Sequence, residues 1–236
     1  MSLPDPPTSL SGHADSPSSI YACHVTDYAK IERQQVADLL LAVGPDQPTV
    51  CEGWTTRDLA AHLVVRERRA DAMAGGVIKA LAGHGEKVRR AKAARPFAEI
   101  VAEIRNPPWW SPVSNRLTDE LANTAEFFIH HEDVRRAQPA WEPRELPPGE
   151  EDALWKATKM TARLGLRKLR LPVLIRTPRF PDLEIGTSET EPPRAMLAGD
   201  PGELALFLSG RQWVARVEVR GHEDATEMIR QAKLGL

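Results

Sequence analysis

The sequence lacks the features that define several large classes of protein. It has 236 residues but only two cysteines, Cys23 and Cys51, whose spacing fits neither a disulfide framework nor a cysteine-type zinc site. No apolar run is long enough to cross a bilayer, and the amino terminus lacks the basic-then-apolar order of a secretory signal. The formal net charge of −2 gives no excess of positive charge for a nucleic acid or a membrane surface. We therefore expect a cytoplasmic protein with neither of these partners.

The first two thirds of the chain show helical periodicity behind an irregular start. Residues 1–22 are rich in proline and serine, so we expect a disordered tail there. Residues 23–140 carry apolar residues at helical spacing, with capping and stop signals that delimit four amphipathic helices. These predicted helices span 26–44, 55–76, 95–108 and 118–139. Together they indicate an antiparallel four-helix bundle in which the second and fourth helices face each other diagonally across the core.

The pattern changes after a proline-rich linker, WEPRELPPG, at 141–149. A helix is predicted at roughly 150–168, and short β-like runs follow at 171–177, 182–188 and 194–199. A helix at 201–210, a strand at 213–221 and a final helix at 222–233 complete the chain. Residues 141–236 are therefore predicted to form a small α+β domain, which makes the overall fold class α+β.

A carboxylate and an imidazole lie one turn apart in the stretch AEFFIHHEDVRR, residues 125–136. On a helix, His130 lies about 40° around the axis from Glu126, whereas His131 lies about 140° away from it. Glu126, His130 and Asp133 therefore share one face, and His131 points elsewhere. The Glu-x-x-x-His spacing places two ligands on one stripe, which suits a metal ion.

A third ligand is expected from a facing helix, and His62 is the candidate because Leu59 and Leu63 bracket it on the inward side of the second helix. Two imidazoles and one carboxylate would leave open positions on a divalent metal, typically zinc, as in catalytic sites. Nickel, iron or cobalt would accept the same ligands. The alternative is that each histidine is a hydrogen-bonded core residue or a surface residue.

Three segments carry a family resemblance. CEGWTTRDLAAHLVVRE (51–67) and NTAEFFIHHEDVRRA (123–137) resemble the amino-terminal domain of mycothiol-dependent maleylpyruvate isomerases, which belongs to the DinB-like metal-binding four-helix superfamily. LAGDPGELALFLSGR (197–211) is similar to the small α+β domain that follows the bundle in that group. The resemblance implies a divalent metal, usually zinc, on His62, Glu126 and His130. It also implies the low-molecular-weight thiol mycothiol as cosubstrate.

Four further residues near these motifs are weaker candidates. Asp133 could orient His130 as a hydrogen-bond acceptor, or be a charge at the end of a solvated helix. Trp54 could form a wall of the cofactor pocket, although core packing is the alternative. Arg211, with Arg216 or Arg220, could bind an acidic substrate, or lie in solvent. Cys51 could be a nucleophile, or a small buried apolar residue.

The function predicted from these features is a zinc-dependent enzyme that uses a low-molecular-weight thiol to isomerise a small electrophile or to transfer sulfur to it. Its reactive species would be a thiolate, whose formation a metal ion favours. Two alternatives stay open. One is a metal-containing module that binds a small ligand without turnover, and the other is a metal-assisted hydrolase, which would need no added thiol.

Overall fold

The computed structural model describes residues 25–73, 82–110, 119–188 and 190–235, so the tail predicted at 1–22 lies outside the described residues. These ranges contain nine helices and one four-stranded sheet, which confirms the α+β class. The helices are α1 (Val25–Val43), α2 (Thr56–Arg68), α3 (Ala70–Met73), α4 (Ala82–Ala93), α5 (Phe97–Arg105), α6 (Asp119–Arg135), α7 (Pro148–Arg167), α8 (Pro201–Leu208) and α9 (Glu223–Gln231). The strands are β1 (Val173–Thr177), β2 (Phe180–Ile185), β3 (Ala195–Ala198) and β4 (Glu218–Gly221).

Helices α1, α2, α5 and α6 share one apolar core. Each contributes side chains that are almost fully buried, namely Val36, Leu40, Leu59, Leu63, Ile100, Ile104, Phe127 and Val134. Helix α1 lies along α6, and α5 contacts both α1 and α2. Burying such aliphatic and aromatic side chains stabilises a fold by about 1.5–3 kcal/mol each, so this core holds α2 and α6 in a fixed relation.

Helix α2 begins as the sequence predicts but ends earlier. The Thr55 side chain accepts a hydrogen bond from the Asp58 backbone N–H, and the Asp58 carboxylate accepts one from the Thr55 N–H, which completes a capping box. The helix predicted at 55–76 stops at Arg68 because Arg69 leaves the helical conformation (φ −135°) and pairs with Asp71. Helix α3 follows, and residues 74–76 lie outside the described residues.

Helix α4 was not among the four predicted helices. It carries few large apolar side chains and contacts α2, in part through an ion pair. Arg89 pairs with Asp58 of α2 and with Glu86 of its own helix, and its guanidinium lies 4.7 Å from the centre of the Trp54 ring. A helix anchored in this way shows no apolar periodicity in the sequence.

The carboxy-terminal half forms a sheet with the strand order β2-β1-β3-β4, covered by α7, α8 and α9. Strand β1 runs antiparallel to β2 and parallel to β3, and β4 runs antiparallel to β3. The predicted strand at 213–221 is corrected to 218–221. Residues 211–215 form a turn instead, because the N–H groups of Val214 and Ala215 bond to the Arg211 carbonyl.

The two halves meet where α8 lies against α6. Phe128 of α6 packs with Leu154 of α7 and Leu206 of α8 in a small buried cluster. Gly202, in the first turn of α8, approaches so closely that a Cβ atom there would lie 2.8 Å from Phe128 Cζ. This contact brings the first turn of α8 directly against α6. Among the described residues, no helix has the length and apolar character needed to cross a membrane.

Candidate metal centre

Helices α2 and α6 bring three potential ligands together, which we name the candidate triad: His62, Glu126 and His130. His62 Nε2 lies 3.6 Å from Glu126 Oε1, and His130 Nε2 lies 3.3 Å from the same oxygen. One donor atom from each residue lies within 4.8 Å of the other two. The two imidazole rings meet edge to face, with 5.0 Å between their centres. The triad thus converges on one point between two helices that the core holds in place.

Solvent can reach this point from one side. The His62 and Glu126 side chains are 20% and 28% exposed, whereas the His130 side chain is 9% exposed. The Trp54 ring lies 5.2 Å from the His62 ring and also packs against the apolar core. Trp54 therefore contributes to core packing and also borders the triad, while its role as a wall of a cofactor pocket stays a prediction.

Further contacts hold His130 through its Nδ1 atom, on the side of the ring away from Glu126. His130 Nδ1 lies 2.9 Å from Asp133 Oδ2, and the Asp133 side chain is completely buried. Arg211 donates from Nε to Asp133 Oδ1 (3.0 Å) and from Nη2 to Oδ2 (2.7 Å). The Cys51 thiol donates to Asp133 Oδ2 (3.2 Å). Asp133 thus orients the imidazole while a two-pronged arginine contact orients Asp133.

The structure places Arg211 behind the triad, where its guanidinium contacts Asp133 and the Ser209 carbonyl. The other two arginines considered from the sequence lie elsewhere: Arg216 stacks over Trp141, and Arg220 pairs with Glu218. The three arginines therefore do not form one anion-binding group.

Sequence reasoning missed Arg66, which lies one helical turn after His62. Its Nε lies 3.1 Å from Glu126 Oε1, and its Nη1 donates to Asn123 Oδ1 at 2.6 Å. The same i, i+4 rule that linked Glu126 to His130 would have placed Arg66 on the face of His62. The sequence also did not indicate the polar contacts of Cys51. This residue is half-buried and also accepts a hydrogen bond from Arg211 Nη2 at 3.5 Å.

Burial and neighbouring charges shift the pKa values of the triad in different directions. Burial lowers the pKa of His62 below its ordinary value. Burial alone would raise the pKa of Glu126, but hydrogen bonds with His130 and His62 hold it well below its usual range. For His130, burial acts to lower the pKa, yet contacts with Asp133, Cys51 and Glu126 raise it well above the ordinary value. These contacts favour the protonated form of the His130 imidazole, which lies between two carboxylates.

The triad has the donor chemistry of a divalent-metal site. It offers two imidazole nitrogens and one carboxylate oxygen, and a metal on His130 Nε2 would replace a proton while keeping the Asp133 contact on Nδ1. Cys51, His130 and Asp133 form a second convergent group. A metal there would take Nδ1 from Asp133 and lie against Arg211, so the candidate triad is the better fit.

No protein-family model matches the sequence, and no curated protein matches it. A solved structure of a mycothiol-dependent maleylpyruvate isomerase is similar in fold, with a TM-score of 0.56 and 12% sequence identity. The match covers 84% of this chain and 92% of the solved one. The resemblance predicted from the three sequence segments is confirmed at the level of the fold.

Proposed function

We propose that this chain is a divalent-metal-dependent enzyme, with zinc as the metal, that uses a low-molecular-weight thiol on a small electrophilic substrate. The observation that carries the proposal is the convergence of His62, Glu126 and His130 beside solvent, with Asp133 behind His130. The similarity in fold to a mycothiol-dependent isomerase supports mycothiol as the thiol and isomerisation or S-transfer as the reaction.

We also propose the organisation that this function requires. Helices α1, α2, α5 and α6 would be the DinB-like four-helix unit within a domain at 23–140, and residues 141–236 would be the second domain. Each half has its own buried core, which supports this division. The second domain would contribute to the site through Arg211, which holds Asp133.

Each residue of the site has a defined task in this proposal. His62, Glu126 and His130 would hold the metal, which when bound would favour the thiolate form of a thiol. Asp133 accepts from His130 Nδ1 and so keeps Nε2 directed at the metal. Trp54 covers one side of His62, which limits the access of water.

Metal content tests the first half of the proposal. We expect one equivalent of metal in the purified protein and a loss of it in His62→Ala and in Glu126→Ala. His84→Ala is the matched control, because His84 is an exposed histidine that pairs with Asp71 on the surface. Retention of stoichiometric metal in both triad variants would show that the assigned ligands are wrong.

Thiol chemistry tests the second half. Metal-loaded protein mixed with mycothiol and a panel of small electrophiles should form an isomer or a thioether adduct, and His62→Ala should not. Turnover of the same compounds without any thiol would favour the hydrolase alternative. Inertness across a broad panel would refute the proposed activity.

A metal-binding module without turnover is the second candidate function. It is favoured by the lack of a free general base near the triad among the described residues, since Asp133 is held by His130, Arg211 and Cys51. Tight retention of a thiol or another small ligand without conversion, in the presence of stoichiometric metal, would support this candidate.

A further inference from the structure

One stretch in the second half of the chain has lysine and arginine but no acidic residue. Residues 153–181 contain eight basic side chains and no aspartate or glutamate, although the formal net charge of the whole chain is −2. Most of this stretch belongs to α7 and to the turn that follows it. Charge is therefore distributed unevenly over the molecule, and the other residues are acidic on balance.

The outward face of α7 carries much of this positive charge. Around the helix axis, Lys156, Arg163 and Arg167 fall within about 40° of one another, so they form a row about 17 Å long. All three are exposed, and in the part of the chain that the structure describes none of them forms an ion pair. Met160 and Leu164 border the row and are 52% and 54% exposed. The face is thus basic with an apolar edge.

The outward face of α9 has the opposite charge. Glu223 and Glu227 lie one turn apart on this helix and are both exposed. Within the described ranges neither carboxylate pairs with a lysine or an arginine, and Glu227 accepts a hydrogen bond from the uncharged amide of Gln231. Met228 lies on the same side and is 44% exposed. The face is acidic with an apolar edge.

The two helices belong to one surface of the second half. They pack on the same face of the sheet, because Ala162 and Leu166 of α7 and Ile229 of α9 are buried in one core with the strands. The chain after α9 returns to α7, where a Cβ atom at Gly165 would lie 3.9 Å from Leu234 Cδ2. The outward faces of α7 and α9 therefore point to the same side of the molecule.

Apolar side chains are concentrated on this surface. Trp213 is 73% exposed, and its neighbour Gln212 donates to the backbone of the segment that connects α9 to α7. With Met160, Leu164 and Met228, Trp213 makes up half of the large apolar side chains that are exposed among the described residues. Single exposed apolar residues are ordinary, but a group of them between charged rims is typical of a protein interface.

We propose that this surface joins two copies of the chain around a two-fold axis. The basic face of α7 in one copy would lie against the acidic face of α9 in the other, with the reverse pair across the axis. A two-fold contact requires a patch that is complementary to itself, and a patch with one basic and one acidic helix meets this requirement. An external polyanion would match α7 but would be repelled by α9.

Self-association of the full-length protein is the first test. Sedimentation velocity across about 1–200 μM should show a monomer–dimer equilibrium. The dissociation constant should rise at least about tenfold between roughly 0.05 and 0.5 M salt, because the Debye length shortens from about 14 Å to about 4 Å. A protein that stays monomeric over the whole range would overturn the proposal. His62→Ala should associate as the wild type does, since this contact is independent of the proposed metal chemistry.

Charge reversal is the sharper test. Lys156→Glu with Arg163→Glu makes the α7 face acidic, and Glu223→Lys with Glu227→Lys makes the α9 face basic. Each double variant alone should associate at least about tenfold more weakly than the wild type, because like charges would face each other. An equimolar mixture of the two should dimerise again, because both contacts of the mixed dimer then join opposite charges.

Two further variants control for net charge and for folding. Lys30→Glu with Lys87→Glu makes the same change of net charge as the α7 variant, on exposed lysines of α1 and α4, and should leave association unchanged. Met160→Ser with Leu164→Ser keeps every charge and should weaken the dimer at least about tenfold. Circular dichroism checks the folding of each variant.

Three results would overturn the proposal. One is a mixture of the folded charge-reversed variants that stays monomeric. Another is a dimer that persists unchanged in the α7 variant and in Met160→Ser with Leu164→Ser. The third is a monomeric wild type that binds heparin and loses this binding in the α7 variant, which would assign the basic face to an external polyanion.

Discussion

His130 and His131 are neighbours in the sequence and almost equally buried, yet they belong to different chemical environments. Each imidazole has its Nδ1 atom next to a buried carboxylate, at 2.9 Å for His130 and Asp133 and at 2.8 Å for His131 and Glu32. An imidazole–carboxylate pair is therefore not what distinguishes them. The difference lies in what else converges on each pair.

The environment of His130 contains further potential ligands, whereas that of His131 contains a competing cation. His130 Nε2 lies near Glu126, and His62 approaches the same carboxylate from α2. Around His131, Arg144 binds the carboxylate that the imidazole contacts. The comparison teaches that a metal site needs donors that converge from several elements, beyond a buried histidine and its acceptor.

The largest expected effect separates the two histidines directly. His130→Asn should weaken metal binding by more than about a hundredfold, beyond the range typical of outer-sphere changes, because it removes a ligand. His131→Asn should leave metal affinity unchanged but lower the free energy of unfolding by about 1–3 kcal/mol, because Glu32 loses a buried partner. Zinc competition titrations and chemical denaturation measure the two quantities. Equal loss of metal in both variants would contradict the comparison.

The next effect concerns the carboxylate partners. Asp133→Asn should reduce metal affinity by roughly 10- to 100-fold, because the amide orients His130 less well and no longer raises its basicity. Glu32→Gln is the matched change next to His131 and should leave metal affinity as it is. Competition with a chelator of known affinity would measure the metal affinity of both variants. An unchanged metal affinity in Asp133→Asn would contradict the role assigned to Asp133.

A smaller effect is expected from Arg66, whose guanidinium lies 3.1 Å from Glu126. Removing this positive charge in Arg66→Gln should tighten metal binding by roughly tenfold, because the positive guanidinium repels a bound cation. Arg68→Gln, which removes a charge that pairs with Glu103 on another face, is the control. Weaker binding in Arg66→Gln would mean that Arg66 mainly positions Glu126.

The smallest effect tests the network next to His131 through pH. Burial and the Glu32 carboxylate raise the pKa of Glu150 from 4.5 to about 8, with Arg144, Glu132 and His131 as the other facing groups. The folded state holds this proton more tightly, so its contribution to stability is complete below about pH 4.5 and is lost as the pH rises through about 8.

Glu150→Gln should therefore gain stability relative to the wild type, by about 1 kcal/mol, between pH 5 and pH 9. Thermal unfolding of both proteins at the two pH values measures this gap, with Asp152→Asn as the control. A gap that does not change with pH would contradict the assignment of a neutral Glu150.

The sequence predicted those features that depend on local spacing. The capping box at Thr55 and Asp58, the strands around β1 to β3 and the shared face of Glu126 and His130 all follow from periods of a few residues. The distances within the triad agree with the convergence that helical geometry predicted between α2 and α6.

Other features depend on contacts between distant residues, which no local pattern contains. Helix α4 is held by ion pairs such as Arg89 with Asp58 and has few large apolar side chains. Its sequence therefore shows only weak apolar periodicity. The Glu32 carboxylate next to His131 is also bound by Arg144, which lies 112 residues further along the chain than Glu32. Likewise, Arg211 reaches Asp133 only because the turn after α8 lies against α6.

The central claim is that His62, Glu126 and His130 hold one divalent ion. X-ray absorption at the zinc edge, on zinc-loaded protein without added thiol, tests this claim most directly. The account predicts only nitrogen and oxygen neighbours at about 2.0–2.2 Å, with the scattering pattern of two imidazoles, and the loss of this zinc signal in His62→Ala. A sulfur neighbour at about 2.3 Å, which would indicate Cys51, or an unchanged spectrum in His62→Ala, would contradict it.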